Sequence, residues 1–138
     1  MLKKDLSILF LLVSCLTLGC SQADQQSQGQ EKKSAISFET TEYDYGNIMQ
    51  GSDGTCAFVF TNTGDAPLLL TNVRSSCGCT IPEWPKKPIR PGNKATIKVR
   101  YNTRVIGGFS KTISVYSNAG DTPVVLHIKG RVEEAETE

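Results

Sequence analysis

The chain is predicted to contain an all-β domain, a sandwich of about seven antiparallel strands, and three observations favour it. Short runs rich in Val, Ile, Thr, Phe and Tyr recur between clusters of Gly, Pro, Asn and Asp, as strands and turns do. Several of these runs alternate apolar and polar residues, the pattern that buries one face of a strand. No segment repeats apolar residues at the helical period. Strands therefore account for the whole folded part.

The first strands are predicted between Ile36 and Asn62. Ile36 and Phe38 alternate, and an extended pattern continues through residues 43–46, where Gly46 suits a bulge. The next strand ends at Asn62, and one of its faces carries the apolar side chains of Cys56, Phe58 and Phe60. Cys56 is therefore predicted to be a small buried side chain of the core.

The middle of the chain is predicted to hold two strands and an irregular connection. Residues 68–73 form an apolar strand that runs directly into Ser75-Ser76-Cys77-Gly78-Cys79-Thr80. Residues 81–92 contain four prolines and are predicted to be an irregular loop, because proline lacks the amide hydrogen that strand pairing uses. The clearest half-buried strand follows, with Ile97, Val99 and Tyr101 on its apolar face.

Two further strands complete the predicted sandwich. Gly107-Gly108 turns into a strand over residues 109–117, and residues 118–121 form the next turn. In the last strand the inward side chains are Val124, Leu126 and Ile128. His127, the sole histidine, faces the other way and is predicted to be a solvated surface residue.

The N-terminus has the layout of a signal peptide. A short basic start precedes an apolar run over residues 6–18, which is shorter than a transmembrane helix needs. Gly19-Cys20 then resembles a bacterial lipobox, whose cysteine receives diacylglycerol and becomes the first residue. Residues 12–15 fit that four-residue pattern better, because Thr17 stands where the pattern prefers Leu, but cleavage before Cys15 would leave an apolar mature end. Cys20 is therefore the predicted lipidation site.

Four segments follow from these patterns. We predict a lipoprotein signal peptide over residues 1–19, a flexible tether over 20–35, the sandwich over 36–132 and an acidic tail over 133–138. The tether is rich in Gln, Ser, Gly and Lys and has too few apolar residues to fold. A lipid anchor implies export to the cell envelope, facing the periplasm or the cell surface, where disulfides persist.

Charge argues against nucleic acid as a partner. Residues 35–132 carry eleven Lys and Arg against seven Asp and Glu, and the acidic tail offsets that excess. A phosphate-binding surface needs a denser basic stripe with aromatic residues. The predicted partners are membrane lipid, through the anchor, and another envelope protein.

Cys77-Gly78-Cys79 is the main candidate for chemistry, and three roles remain open. The pair suits a structural disulfide, within itself or from one member to Cys56; a strained redox disulfide; or a two-thiolate Cu(I) site. A structural zinc site is excluded because it needs a second ligand cluster. The basic residues expected to favour a thiolate, if the proline-rich segment folds back, are Arg74, Lys86, Lys87 and Arg90. No cofactor is predicted.

Several short motifs together resemble the bacterial domain of unknown function 1573 (DUF1573). In chain order these are residues 43–48, 58–64, 68–70, 76–80, 91–92, 108–109 and 117–118. The resemblance covers residues 36–132 and implies an exported immunoglobulin-like domain, common in Bacteroidetes-type lipoproteins, with no established activity. True immunoglobulin domains also have a cysteine pair and a buried Trp in the core, which this sequence lacks.

The functional expectation is a protein that is not an enzyme. No nucleophile, base and orienting group can be named together, and sandwiches of this size act through loops and edges. The sequence therefore predicts a lipid-anchored, non-catalytic binding or structural module. The alternative is a thiol-redox or Cu(I)-handling protein that uses Cys77 and Cys79.

Overall fold

Eight strands form two four-stranded sheets in the computed structural model, which describes residues 29–136. The predicted signal peptide, Cys15 and Cys20 lie outside the described residues. The strands are β1 (Ile36–Phe38), β2 (Glu42–Met49), β3 (Thr55–Asn62), β4 (Leu70–Ser75), β5 (Thr80–Glu83), β6 (Lys94–Tyr101), β7 (Gly107–Ser117) and β8 (Gly120–Glu133). Among these residues no helix is long and apolar enough to cross a membrane.

The strand order is β1-β3-β6-β5 in the first sheet and β2-β8-β7-β4 in the second. All pairs are antiparallel except β2 and β8, which are parallel. The predicted antiparallel sandwich is confirmed, with β2–β8 as its one parallel pair. The chain leaves β1 and continues in the same direction into β2, changing sheets without a hairpin, so that it joins β8 in parallel.

Gly46 forms the bulge that the sequence predicts. Its φ is +63°, and the β2–β8 register shifts between Asp44 and Asn47. A left-handed backbone of this kind favours glycine, which has no Cβ to collide with the preceding carbonyl.

The core lies between the sheets and is built from the alternating residues of β3, β6, β7 and β8. Its fully buried side chains include Phe58, Phe60, Ile97, Val99, Ile113, Leu126 and Ile128. His127 is exposed on the outer face of β8, as the alternation predicts.

Two of the differences from the sequence prediction lie in the middle of the chain. The proline-rich segment is not wholly irregular, because β5 pairs with β6 and includes Pro82. A sheet edge tolerates proline, since its missing amide hydrogen can face away from the partner strand. The strand predicted over residues 68–73 is β4, which begins at Leu70, while Leu68 forms an isolated bridge with Ile89.

The two ends of the sandwich differ in what they carry. We call one the N-terminal end, because Lys33 O there accepts from Asp65 N at 2.7 Å, and Ser34 Oγ donates to Asn118 Oδ1 at 3.0 Å. The other carries the β2–β3, β4–β5 and β6–β7 loops. We call it the groove end, after the groove between these loops that is described below. The chain thus begins the fold at one end, and the cysteine pair lies at the other.

Candidate functional site

Cys77 and Cys79 are joined by a disulfide in the β4–β5 loop. Cys56 is a free thiol on β3 and is only 5% exposed, within the core. Of the pairings that the sequence left open, the structure therefore contains the one within the pair. Cys56 has the buried position that its alternation predicts.

The base of the disulfide loop is held by the two serines that precede it. Ser75 Oγ lies 2.5 Å from Cys77 O and 2.8 Å from Thr80 O. Ser76 N donates to Thr112 O at 2.9 Å, and Thr112 N donates to Ser76 Oγ at 3.2 Å. The serines thus fix the loop against β7.

A groove of about 550 Å³ opens beside the disulfide at the groove end. Its lining comes from all three loops and the strand ends next to them: Gly51, Ser52, Asp53, Gly54, Gly78, Cys79, Ile81, Arg100, Tyr101, Asn102, Thr103 and Arg104. Hydrogen bonds tie these loops together: Asn102 N donates to Cys79 O at 2.8 Å, and Thr103 Oγ1 donates to Ser52 O at 2.6 Å. The groove is therefore formed before any ligand arrives.

The groove combines positive charge with one apolar wall. Arg100 and Arg104 supply the charge, and Ile81 is 55% exposed. The Arg100 Nη2 to Glu83 Oε1 distance is 3.9 Å and both side chains are solvated, so this pair neutralises little charge. Asp53 Oδ1 accepts from Thr55 N at 2.9 Å, and its hydrogen bonds to Thr55 hold the pKa of its carboxyl below the usual range.

The groove beside the disulfide is not lined by any of the four basic residues that the sequence suggested. The proline-rich segment runs to the N-terminal end, where Ile89 N donates to Leu68 O at 2.7 Å. Lys86 Nζ lies 3.0 Å from the centroid of the Trp84 ring, a cation–π contact. The groove's arginines come from β6 and the β6–β7 loop. The pairing of β5 with β6 places them in the groove that Cys79 also lines.

Tyr45 closes the core beneath the groove. Its hydroxyl donates to Gly54 O at 2.7 Å, and burial is the main cause that raises its pKa. Burial also raises the pKa of the Cys56 thiol. Cys56 is therefore held as a protonated thiol.

A metal would find few ligands in the described part of the chain. No group of three or more His, Cys, Asp or Glu side chains converges within residues 29–136. The two candidate sulfurs, Cys77 Sγ and Cys79 Sγ, are bonded to each other. They would become thiolate ligands for Cu(I) only after reduction.

Residues 36–132 match the model of the family described as "Protein of unknown function (DUF1573)". The chain belongs to this family. No curated protein matches it.

Two asparagines in the DUF1573 motifs close the N-terminal end. Asn62 is fully buried, and its Nδ2 donates to Ala66 O at 2.8 Å and to Ile89 O at 2.9 Å. Asn118 Oδ1 accepts from Leu69 N at 2.9 Å. The sequence placed these residues only at a strand end and in a turn. Their hydrogen bonds to neighbouring segments are seen only in the structure.

Solved structures similar to this DUF1573 chain have related sandwiches. A protein of unknown function from Porphyromonas gingivalis W83 has a TM-score of 0.65 and 18% identity, covering 72% of this chain and 47% of that one. The PapD-like domain 7 of human CEP192, an ASH domain, has a TM-score of 0.61 and 9% identity, covering 73% and 87%. The VesB protease of Vibrio cholerae has a TM-score of 0.51 and 11% identity, covering 72% and 32%.

These likenesses show the fold alone, an immunoglobulin-like β-sandwich. The DUF1573 chain spans about half the length of the Porphyromonas protein and about a third of the protease.

Proposed function

We propose that this chain is an exported protein of the cell envelope, lipid-anchored through Cys20, whose sandwich is a non-catalytic binding module. Its partner is another envelope protein, on the periplasmic side or at the cell surface. The observation that carries the proposal is the groove of about 550 Å³ at the end opposite to Lys33. The chain enters the sandwich near Lys33, at the end away from the groove.

The lining of the groove suits an acidic segment with an apolar side chain. Arg100 and Arg104 can each bind a carboxylate with two parallel hydrogen bonds. Ile81 offers the partner an exposed apolar surface. Because hydrogen bonds already join the loops, little loop entropy is lost on binding.

The ionisable groups of the groove suit binding better than acid–base chemistry. Asp53 Oδ1 accepts a hydrogen bond from Thr55 N at the start of β3, and its lowered pKa makes it a weak base. Burial raises the pKa of Tyr101, so this phenol keeps its proton.

The test is partner capture from a native envelope extract with the full-length protein. We expect Arg100→Glu/Arg104→Glu to lose the partner, because the substitutions reverse the charge of the groove. Lys87→Glu/Arg90→Glu is the matched control, since it changes the charge equally at exposed positions outside the groove. Capture that survives the groove substitutions, or fails equally in the control, contradicts the proposal.

A further inference from the structure

The two sulfurs of the disulfide have different surroundings. Cys79 lines the groove, whereas Cys77 does not. Cys77 Sγ lies 3.8 Å from Thr80 Oγ1. A disulfide sulfur carries no proton, so the Thr80 hydroxyl is the donor of this weak hydrogen bond. Thr80 is 3% exposed at the start of β5, which keeps its hydroxyl away from competing water.

We propose that Cys77–Cys79 is a thiol-exchange site for protein dithiols, in which Cys79 Sγ is the sulfur attacked and Cys77 is the leaving group. This reaction goes beyond the binding role proposed above and requires neither the lipid anchor nor the envelope partner. The substrate class is a segment of protein with two nearby thiols.

The exchange is balanced in atoms and electrons. A substrate thiolate attacks Cys79 Sγ, so the Cys77–Cys79 bond breaks, a substrate–Cys79 disulfide forms and Cys77 leaves as a thiolate. The second substrate thiol then attacks the substrate sulfur of that mixed disulfide and releases Cys79. The substrate loses two electrons and becomes a disulfide, while the cysteine pair gains them. The two protons of the substrate thiols pass to the two cysteines.

Two features favour this direction of attack. Cys79 packs against the core but is only partly buried, and it lines the groove, so a substrate in the groove approaches Cys79 and not Cys77. Arg100 and Arg104 in the same lining attract a thiolate. The Thr80 hydroxyl is already placed to stabilise Cys77 as it leaves, and a stabilised leaving thiolate speeds exchange.

The first experiment maps the attacked sulfur in the full-length, unmutated protein. Brief exposure to glutathione, an acid quench, alkylation with iodoacetamide and peptide mass spectrometry locate the mixed disulfide. We expect glutathione on Cys79 and the alkyl group on Cys77. Glutathione on Cys77, or an equal division between the two cysteines, overturns the proposal. Because this readout involves no partner protein, it can fail independently of the proposed binding function.

The second experiment asks whether the fold promotes the exchange. A dithiol peptide is mixed with the protein or with the disulfide form of the isolated peptide Ser-Ser-Cys-Gly-Cys-Thr, which has the same ring without the groove. We expect the protein to react about tenfold faster, the effect of roughly one well-placed hydrogen bond. An equal or slower rate overturns the proposal.

Thr80 provides the matched variants. We expect Thr80→Val to slow the reaction about tenfold through loss of the hydroxyl, whereas Thr80→Ser restores the rate. Thr122→Val is the control, because Thr122 is an exposed β8 residue that does not line the groove. An unchanged rate in Thr80→Val overturns the proposal. If that variant does not fold, the mapping of the unmutated protein decides.

Discussion

Tyr101 and Phe109 stack face to face between the two sheets, with ring centroids 3.7 Å apart and planes at 13°. Tyr101 ends β6 in the first sheet, and Phe109 lies near the start of β7 in the second. Tyr45 adds a third ring, 5.6 Å from Phe109. Since Tyr101 also lines the groove, this aromatic cluster supports the groove from below.

We expect Phe109→Ala to lower the free energy of unfolding by about 3 to 5 kcal/mol, because it removes a buried ring and leaves a cavity. Urea denaturation followed by circular dichroism measures the change. Phe38→Ala serves as a comparison, since Phe38 is only partly buried at a sheet edge and should cost less. Equal losses in the two variants would argue that the stack contributes nothing of its own.

Gly54→Ala should destabilise the groove, whereas Gly78→Ala should be nearly neutral. A Cβ on Gly54 would collide with the backbone oxygen of Tyr101, but a Cβ on Gly78 meets nothing within 4 Å. We expect a loss of about 2 kcal/mol or more for Gly54→Ala, the cost of forcing extra atoms into a packed site. Thermal unfolding of both variants checks this, and similar melting temperatures would contradict it.

Replacing both cysteines of the pair, as Cys77→Ser/Cys79→Ser, should cost only about 1 to 2 kcal/mol, because the disulfide closes a loop of a few residues. Partner capture should persist, since the loops are also joined by hydrogen bonds. Denaturation and the envelope pull-down measure the two effects. Loss of all capture in a variant that still folds would contradict the proposed binding function.

Stability should fall above about pH 9. The ordinary pKa values are 9.0 for the Cys56 thiol and 10.0 for Tyr45, and burial raises both in the folded state. The unfolded chain therefore releases these protons first, so the stabilisation is complete below the ordinary values and is lost as pH rises through the raised ones. Urea unfolding at about pH 7 and about pH 10.5 measures the loss. It should be smaller in Tyr45→Phe, and an equal loss there would contradict this assignment.

Cys20→Ser should abolish lipid attachment and release the protein from the membrane fraction. Cys15→Ser should keep the lipid attachment and stay in the membrane fraction. The reason is that lipidation at Cys20 leaves a polar mature end, which matches a tether. Metabolic labelling with a radioactive fatty acid measures attachment. Label that persists in Cys20→Ser but disappears in Cys15→Ser would move the anchor to Cys15.

Local pattern was enough to predict most strands. The alternation of Ile97, Val99 and Tyr101 marked β6, and the same reasoning placed Cys56 in the core. β5 was missed because Pro82 argues against a strand unless the strand is known to lie at a sheet edge. The parallel pairing of β2 with β8 was missed because the choice of partner depends on a crossing between sheets, which alternation does not encode.

The candidate site was predicted in part. The cysteine pair was recognised from spacing alone, but the groove depends on residues distant in sequence. Arg100 and Arg104 line the same groove as Cys79 because β5 pairs with β6. Thr80 is next to the pair in sequence, but its contact with Cys77 and the position of Cys79 in the groove, which together distinguish the two cysteines, are seen only in the structure.

The separation of the two ends also has a mechanical consequence. A pull between Lys33 and a partner in the groove would act along the strands, because each end of the sandwich collects strand termini. The hydrogen bonds between β1 and β3 would then bear the load together, in shear, instead of opening one at a time. Such a sandwich resists extension best along the line that joins Lys33 to the groove.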